Sequence, residues 1–227
     1  MILPPEILII IITFLKDRPG LLRQVCRDWK AIVDGSFKKP ALILKRVSVE
    51  SVNLIKWSML DLPLNSLTCY SAAKGGHLEV LQWARANRCP WDFRTCSAAA
   101  AEGGHLEVLQ WARKNGCHWD TSTCYSAAKG GHLEVLQWAH ENGCPWDEWT
   151  CTLAARGGHL EVLQWARENG CPWDRWTCSY AAKGGHLEVL QWARAQGCPW
   201  DSWTCSYAAE GGHLEVLQWA RENGCPE

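Results

Sequence analysis

A ten-residue stretch, Gly-Gly-His-Leu-Glu-Val-Leu-Gln-Trp-Ala, occurs six times without change in this chain of 227 residues. The copies occupy residues 75–84, 103–112, 130–139, 157–166, 184–193 and 211–220. Successive copies start 28, 27, 27, 27 and 27 residues apart. A period in this range is typical of solenoids, in which each unit buries its apolar face only by stacking on its neighbours. The spacing therefore predicts a stack of repeats rather than one globular core.

Each repeat is predicted to form two short helices. In the copy at residues 145–171, Asp147 is a suitable N-cap for a first helix over 148–156, and Gly157-Gly158 end that helix with a left-handed residue. A second helix is predicted over 159–169. Its apolar residues cover an arc too wide for one short partner helix to bury: Val162, Leu163, Trp165 and Ala166. Neighbouring repeats must cover the rest, so the sequence predicts an all-α helix-turn-helix solenoid.

The six clear units are numbered repeats 1 to 6 in chain order. They span residues 63–89, 90–117, 118–144, 145–171, 172–198 and 199–225. No polar cap follows repeat 6, so its apolar stacking face, including Trp219, is expected to be exposed. Residues 37–62 are predicted to be a degenerate capping repeat, because the segment beginning Ser51-Val-Asn-Leu-Ile-Lys-Trp aligns with His77-Leu-Glu-Val-Leu-Gln-Trp.

Composition narrows the functional class. The net charge is −1, and residues 51–227 hold fourteen Lys and Arg against nineteen Asp and Glu, so neither nucleic acid nor an anionic membrane is an expected partner. Twelve of the thirteen cysteines recur with the repeat in two ladders, one beginning at Cys69 and the other at Cys89. Rungs of one ladder lie about 10 Å apart, too far to bridge. Buried, reduced thiols and the lack of a signal peptide predict an intracellular protein, cytoplasmic or nuclear.

The N-terminus resembles an F-box. The matching residues are Leu3, Pro4, Glu6, Ile7, Leu8, Leu15, Leu21, Val25, Cys26, Arg27 and Trp29. They fit a Leu-Pro-x-Glu start, an apolar helix, a charged turn and a Val-Cys-Arg-x-Trp helix, so residues 1–36 are predicted to be an F-box-like helical module. The resemblance implies docking on a Skp-type linker of a cullin–RING ubiquitin ligase. The implied contacts are Leu3, Pro4, Ile7, Leu8, Val25, Cys26 and Trp29.

Residues 63–227 resemble ankyrin repeats. The run Ala-Ala-x-Gly-Gly-His-Leu-Glu-Val-Leu-Gln-Trp-Ala-x-x-x-Gly-Cys is similar to the family's sequence from the end of its first helix to the turn after its second. The family period is about 33 residues, and the shorter period here comes mainly from the β-turn finger. Pro-Trp-Asp replaces that finger. The resemblance implies a helix-pair stack with stunted fingers, in which tryptophans pack where fingers normally do.

The positions that vary between repeats are the candidate substrate contacts, because the constant positions serve stacking. They lie on or beside the first helix, which the resemblance places with the turn on the concave face, and their aromatic and arginine content suits a protein interface. The residues are Phe93, Arg94, Tyr125, Trp149, Arg156, Arg175, Trp176, Tyr180, Trp203 and Tyr207. A tolerated, functionless surface is the alternative interpretation.

Neither metal binding nor catalysis is expected. The ladder cysteines and histidines lack the close Cys-x-x-Cys or His-x-x-x-His spacing of zinc sites. A Cys-His pair recurs in every repeat, whereas a nucleophile requires one singular arrangement. The repeated histidines are instead predicted to hydrogen-bond the next loop. The sequence thus predicts a non-enzymatic protein-binding adaptor without cofactors, whose F-box-like helices dock on the Skp-type linker while the repeats bind a substrate protein. A plain ankyrin-type scaffold with no ubiquitin-ligase link is the alternative.

Overall fold

Twelve short helices make up the part of the chain that the computed structural model describes, residues 65–101 and 103–226. The first helices of repeats 1 to 6 are α1 (Ser66–Lys74), α3 (Phe93–Ala101), α5 (Thr121–Gly130), α7 (Glu148–Gly157), α9 (Arg175–Gly184) and α11 (Ser202–Glu210). The second helices are α2 (Leu78–Ala86), α4 (Leu106–Lys114), α6 (Leu133–Glu141), α8 (Leu160–Glu168), α10 (Leu187–Ala195) and α12 (Leu214–Glu222). Because these ranges contain no strand, the predicted all-α helix-turn-helix solenoid is confirmed.

Two predicted segments lie outside the described residues. They are the F-box-like module at 1–36 and the capping repeat at 37–62. The predicted linker contacts fall there as well: Leu3, Pro4, Ile7, Leu8, Val25, Cys26 and Trp29. The F-box and its partner therefore stay predictions.

Local sequence signals set the helix ends. Asp147 caps α7, because its Oδ1 accepts a hydrogen bond from the backbone N–H of Trp149 at 3.1 Å. Gly158 follows the helix with φ of 77°, a left-handed conformation that favours glycine. His159 is the N-cap of α8 and Asn169 its C-cap, so α8 is one residue shorter at each end than predicted. The predicted caps of the first helix are confirmed.

Stacking of first helices forms the core. Each first helix packs against its own second helix and against the first helices of the adjacent repeats. The contacting positions carry small side chains, so the helix backbones approach closely; Cys151, Ala154 and Ala155 on α7 have no exposed surface. The second helix adds one large residue to each layer, such as Leu163, which is fully buried. Burying such a leucine stabilises the fold by about 1.5–3 kcal/mol.

In repeats 4 to 6 the repeated histidine joins consecutive repeats, whereas Nε2 of His132 in repeat 3 is buried without a hydrogen-bond partner among the described residues. The His186 Nε2–H donates a hydrogen bond to the carbonyl oxygen of Arg156 at 2.9 Å, and His159 does the same to Lys129 at 3.0 Å. The acceptors belong to the end of the preceding first helix, where the last carbonyls have no partner within the helix. The prediction that these histidines bond the next loop is therefore wrong in direction. They reach back, because the N-cap position places the ring beside the preceding repeat.

In repeats 1 to 5 the second glycine of the Gly-Gly pair makes room for the histidine ring of the next repeat. A Cβ built on Gly158 would lie 2.5 Å from Nδ1 of His186, far inside van der Waals contact. Gly170 has a similar φ of 83°, but a Cβ there would meet no atom within 4 Å. Gly158 is therefore required both by its backbone conformation and by the histidine of the next repeat, whereas Gly170 is required by conformation alone.

The outer face of repeat 6 is exposed, although not at every predicted residue. Ala209 is exposed, whereas its equivalent Ala182 is fully buried, and Leu214 is 74% exposed. Trp219 is half-buried, like its equivalent Trp192 in repeat 5, and it packs on the cluster that includes Cys205. The expectation of an exposed apolar face is confirmed for the alanine and leucine and is wrong for Trp219.

Some buried hydroxyl groups pair between the first helices of adjacent repeats, and others are left without a partner among the described residues. Thr177 Oγ1 lies 3.4 Å from Thr152 Oγ1, one repeat earlier. Thr150 occupies the same position as Thr177 in its own repeat, but its Oγ1 is buried without a partner. The preceding repeat there carries Tyr125 in place of the hydroxyl residue that Thr152 provides.

Two threonine variants compare the effect on stability of losing a paired hydroxyl group with that of losing an unpaired one. Thr177→Val should lower the free energy of unfolding by about 1–2 kcal/mol, because it leaves the buried Thr152 hydroxyl without its partner. Thr150→Val should be neutral or stabilising, because it replaces an unsatisfied polar atom with a methyl group. Urea unfolding followed by circular dichroism measures both. Equal losses would contradict the assigned pairing.

Two glycine variants test the histidine contact. Gly170→Ala should cost about 1–2 kcal/mol, the penalty of a left-handed non-glycine residue. Gly158→Ala should cost about 1–3 kcal/mol more, because the new Cβ overlaps the His186 ring. In a His186→Ala background, Gly158→Ala should lose this additional destabilisation, whereas the destabilisation caused by Gly170→Ala should be unchanged. The contact is wrongly assigned if the two glycine variants lose the same stability with His186 present.

Candidate functional site

Five aromatic side chains on the first helices of repeats 4, 5 and 6 form one continuous surface, called here the aromatic patch. Its members are Trp149, Trp176, Tyr180, Trp203 and Tyr207. Trp176 and Tyr180 are four residues apart on α9, as are Trp203 and Tyr207 on α11, so each pair shares a helix face. Stacking of the first helices places these faces side by side.

The rings contact one another across the repeats. Trp149 meets Tyr180 edge to face with ring centroids 6.0 Å apart, and Tyr180 meets Tyr207 in the same manner at 5.7 Å. Trp176 lies 6.3 Å from Trp203 and 6.4 Å from Tyr207 in tilted arrangements. These separations fall within the favourable range for aromatic pairs. The patch is therefore held in place before any partner arrives.

The patch remains accessible to solvent. Trp149 is 42% exposed and Trp203 is 49% exposed, while Trp176, Tyr180 and Tyr207 are half-buried. No hydrogen bond within residues 65–101 and 103–226 uses an indole N–H or a phenol O–H of these five side chains. The five side chains therefore form a contiguous, partly exposed aromatic surface.

Two cations lie over the tyrosine rings. The guanidinium carbon of Arg156 lies 5.5 Å from the Tyr180 ring centroid, and Nζ of Lys183 lies 4.3 Å from that of Tyr207. In both cases the cation belongs to the repeat that precedes the tyrosine. Such contacts each contribute about 0.5–1 kcal/mol at exposed sites.

Two acidic residues of repeat 6 form ion pairs with two of the cations beside the patch. Arg175 forms an ion pair with Asp201 at 3.3 Å, and Lys183 forms one with Glu210 at 3.3 Å. Arg156 is exposed and makes no ion pair within the described residues. Arg156 in the last turn of α7 therefore keeps its positive charge, while the exposed Glu148 beside Trp149 in the first turn of α7 contributes a negative one.

Three predicted contacts lie away from the patch. Phe93 is 44% exposed and Tyr125 is half-buried, and neither makes a ring contact with the five patch residues. Arg94 forms an ion pair with Asp92 at 2.6 Å, and its hydrogen bond is the main cause that lowers the pKa of that carboxyl group. The structure thus groups seven of the ten predicted positions, the patch with Arg156 and Arg175, and leaves these three apart.

The tryptophans of the Pro-Trp-Asp turns have a different role. Trp173 lies between Arg167 of the preceding repeat, 4.2 Å from the ring centroid, and Trp192 of its own repeat, 5.9 Å away. The Arg167 guanidinium also donates to the carbonyl oxygen of Cys171. In repeat 4 the ring of His140 replaces the arginine and stacks on Trp146 at 3.7 Å. These contacts were not predicted from the sequence. A signal for them was present, because an arginine lies four residues before the last cysteine in every repeat except repeat 3, which has His140 there.

A cleft of about 380 Å³ runs beside this turn. Its lining is Gln164, Arg167, Glu168, Trp173, Trp192 and Gln196. Arg167 and Trp173 contact each other, and Arg167 also donates to the backbone, so two of the six lining side chains are committed to packing between repeats. The aromatic patch, on the first helices, is the better candidate site.

The cysteines pair across the two ladders rather than along them. In repeat 5 the Cys178 Sγ–H donates to the backbone carbonyl oxygen of Cys198 at 3.9 Å. The neighbouring Cys198 side chain, together with burial, raises the pKa of Cys178 far above its usual range. The Cys198 Sγ–H donates to the carbonyl oxygen of Asp174 at 3.4 Å. All twelve cysteines among the described residues are buried free thiols. Neutral buried thiols are inert structural groups, and this pairing was not anticipated from the spacing.

Metal-ligating side chains do not converge in residues 65–101 and 103–226, where no three of His, Cys, Asp or Glu are placed to share an ion. In the same part of the chain each helix is too short to cross a bilayer.

Comparison with known proteins agrees with this architecture. Residues 96–140, 124–167 and 151–194 match the family model of ankyrin repeats that occur in many copies. The crystal structure of the human ASB11 ankyrin repeat domain is similar to this fold, with a TM-score of 0.54 and 17% identity over 69% of this chain and 83% of that chain. No curated protein matches the sequence. The predicted ankyrin-like solenoid is confirmed, and ankyrin repeats are typically interaction scaffolds without enzymatic activity.

Proposed function

We propose that this protein is a substrate adaptor, in which the aromatic patch of the ankyrin repeats binds a protein and the N-terminal helices dock on a Skp-type linker of a cullin–RING ubiquitin ligase. The observation that carries the binding half is the patch itself. Its five aromatic side chains are held by mutual contacts, remain accessible, and lie at positions that stacking does not constrain.

The energetics of protein interfaces support this surface as the binding site. Tryptophan, tyrosine and arginine are the residues that most often contribute 2 kcal/mol or more to binding at interface centres. The patch supplies the first two types, and Arg156 and Arg175 supply the third at its edge. Because neighbouring rings already fix these side chains, little rotamer entropy is lost on binding.

The ligase half rests on the sequence resemblance of residues 1–36 to an F-box. Leu3-Pro4 and Val25-Cys26-Arg27-x-Trp29 occur together at the spacing that such modules share. An ankyrin scaffold whose N-terminal helices only cap the stack is the second candidate, favoured by the absence of an evident third F-box helix after Gly35.

A binding assay with the purified linker separates the two candidates. Immobilised Skp-type linker should retain the wild-type chain and lose the triple variant Leu3→Ala, Pro4→Ala, Trp29→Ala. The variant Phe93→Ala, altered in repeat 2, should be retained like wild type. If the linker does not retain the wild-type chain, the adaptor role is wrong and the scaffold remains.

Selection from a random peptide library tests the patch. Peptides enriched on the wild-type chain should bind Trp176→Ala at least about ten-fold more weakly, the loss expected from truncating an interface centre. They should bind Phe93→Ala with unchanged affinity, although Phe93 is an exposed aromatic residue at the start of the first helix of repeat 2. Equal binding to both variants would contradict the assignment of the patch.

A further inference from the structure

We propose that repeats 4 to 6, which carry the aromatic patch, are kept poor in reactive amines, so that a ubiquitin ligase built on this chain modifies the bound protein and not the chain itself. This inference rests on the proposed function and adds a restriction on where ubiquitin is attached. Three observations carry it: the placement of lysines along the chain, the residue at position 156 and the contacts of Lys183.

Lysine is nearly absent from the part of the chain that holds the patch. Residues 130–227 contain five arginines and a single lysine, Lys183, whereas residues 1–129 contain eight arginines and nine lysines. The patch therefore lies in a segment that has cationic side chains but almost no amines.

The difference between the two cations matters because ubiquitin is transferred to amines. The uncharged ε-amine of a lysine attacks the thioester that joins the C-terminus of ubiquitin to a cysteine of the conjugating enzyme. An isopeptide bond forms as the C–S bond breaks, the sulfur leaves as a thiolate, and one proton of the amine passes to the thiolate or to water. A guanidinium group stays protonated in proteins, so arginine cannot act as this nucleophile.

The ring contact at position 156 does not require arginine. The equivalent last-turn positions of α5 and α9 carry Lys129 and Lys183. The guanidinium carbon of Arg156 lies over the Tyr180 ring, and Nζ of Lys183 makes the same kind of contact with Tyr207. A lysine at position 156 would therefore keep the charge and the ring contact while adding an amine.

Packing explains two of the five arginines. Arg167 and Arg194 each lie 4.2 Å from a tryptophan ring centroid and donate to a backbone carbonyl, a planar stacked arrangement that lysine does not reproduce. The solvent-facing end of the second helices makes no such demand, since α4 ends in the exposed Lys114. The equivalent exposed residues of α8 and α10 are Glu168 and Ala195, so amines are missing from repeats 4 and 5 there as well.

Neighbouring side chains engage the one lysine of this segment. Nζ of Lys183 lies 3.3 Å from Oε1 and 3.4 Å from Oε2 of Glu210, and 4.3 Å from the centroid of the Tyr207 ring. Lys129, at the same helix position, is exposed and makes no ion pair within the described residues. Because an amine must leave such contacts before it attacks a thioester, we expect Lys183 to react more slowly than Lys129.

Trace acylation compares the two amines without a ligase. The full chain is treated with a substoichiometric N-hydroxysuccinimide ester, and peptide mass spectrometry gives the rate at each lysine. Lys129 should react about three- to ten-fold faster than Lys183, the range expected from one exposed ion pair and one cation–π contact. Glu210→Gln should raise the rate at Lys183 at least about two-fold. Equal rates in the wild-type chain overturn the proposal.

A reconstituted ligase tests the protection itself. The full chain, the Skp-type linker, the cullin–RING core and a ubiquitin-charged conjugating enzyme are mixed without substrate, and the modified lysines are mapped by mass spectrometry. Modification should fall on residues 1–129 and be weak at Lys183. Arg156→Lys and Glu168→Lys should each gain a modified site in repeat 4. Glu168→Arg adds the charge without the amine and should gain none.

The outcomes distinguish this inference from the proposed function. If modification depends on the linker but Lys183 is modified as readily as Lys129, or Glu168→Lys gains no site, the ligase role stands and the inference is wrong. If no lysine of the wild-type chain or its variants is modified in a linker-dependent manner, the ligase half of the proposed function is wrong and the inference fails with it. If only the lysine variants gain sites in repeat 4, both are supported.

Discussion

The register between consecutive first helices is the constraint on which the rest of the described structure depends. In repeats 4 to 6 a histidine of one repeat donates to a carbonyl at the end of the preceding first helix, as His186 does to Arg156. The ring fits because neither Gly158 nor Gly184 has a side chain at that point. A helix of nine or ten residues is unstable alone, so this repeated contact and the burial around it are what make each helix persist.

Fixed register arranges equivalent positions in columns. Columns that face the stack must repeat the same small residues, because a larger side chain would separate helices that touch along their length. Cys178, Ala181 and Ala182 occupy such columns and have no exposed surface. Columns that face away from the stack are free to vary, and on repeats 4 to 6 they carry the aromatic patch. Stacking and recognition thus use different faces of the same helices.

Trp173 and Trp176 illustrate what the sequence predicts and what it leaves to the packing. Both belong to the short segment Pro-Trp-Asp-Arg-Trp, and sequence alone separated them only because one is constant and the other variable. Packing explains the difference, since the first is enclosed between Arg167 and Trp192 and the second joins the rings of the next repeat. The predicted helices, caps and first-helix contacts followed from local rules. The pairing of Cys178 with Cys198 did not, because residues 20 apart meet only after both helices have folded back.

The amino-acid sequence by itself determined the repeat length, the alternation of two short helices, the glycine and aspartate caps, and the positions at which the repeats differ. Each of these depends on backbone preferences and side-chain periodicity within about ten residues. The tertiary structure decided which of the variable residues meet, separating Phe93, Arg94 and Tyr125 from the seven that gather on repeats 4 to 6. It also decided that the histidines reach backward and that Arg156 keeps its charge uncompensated within the described residues. These are distances between residues about 27 positions apart, and only the packing of one helix on the next sets them.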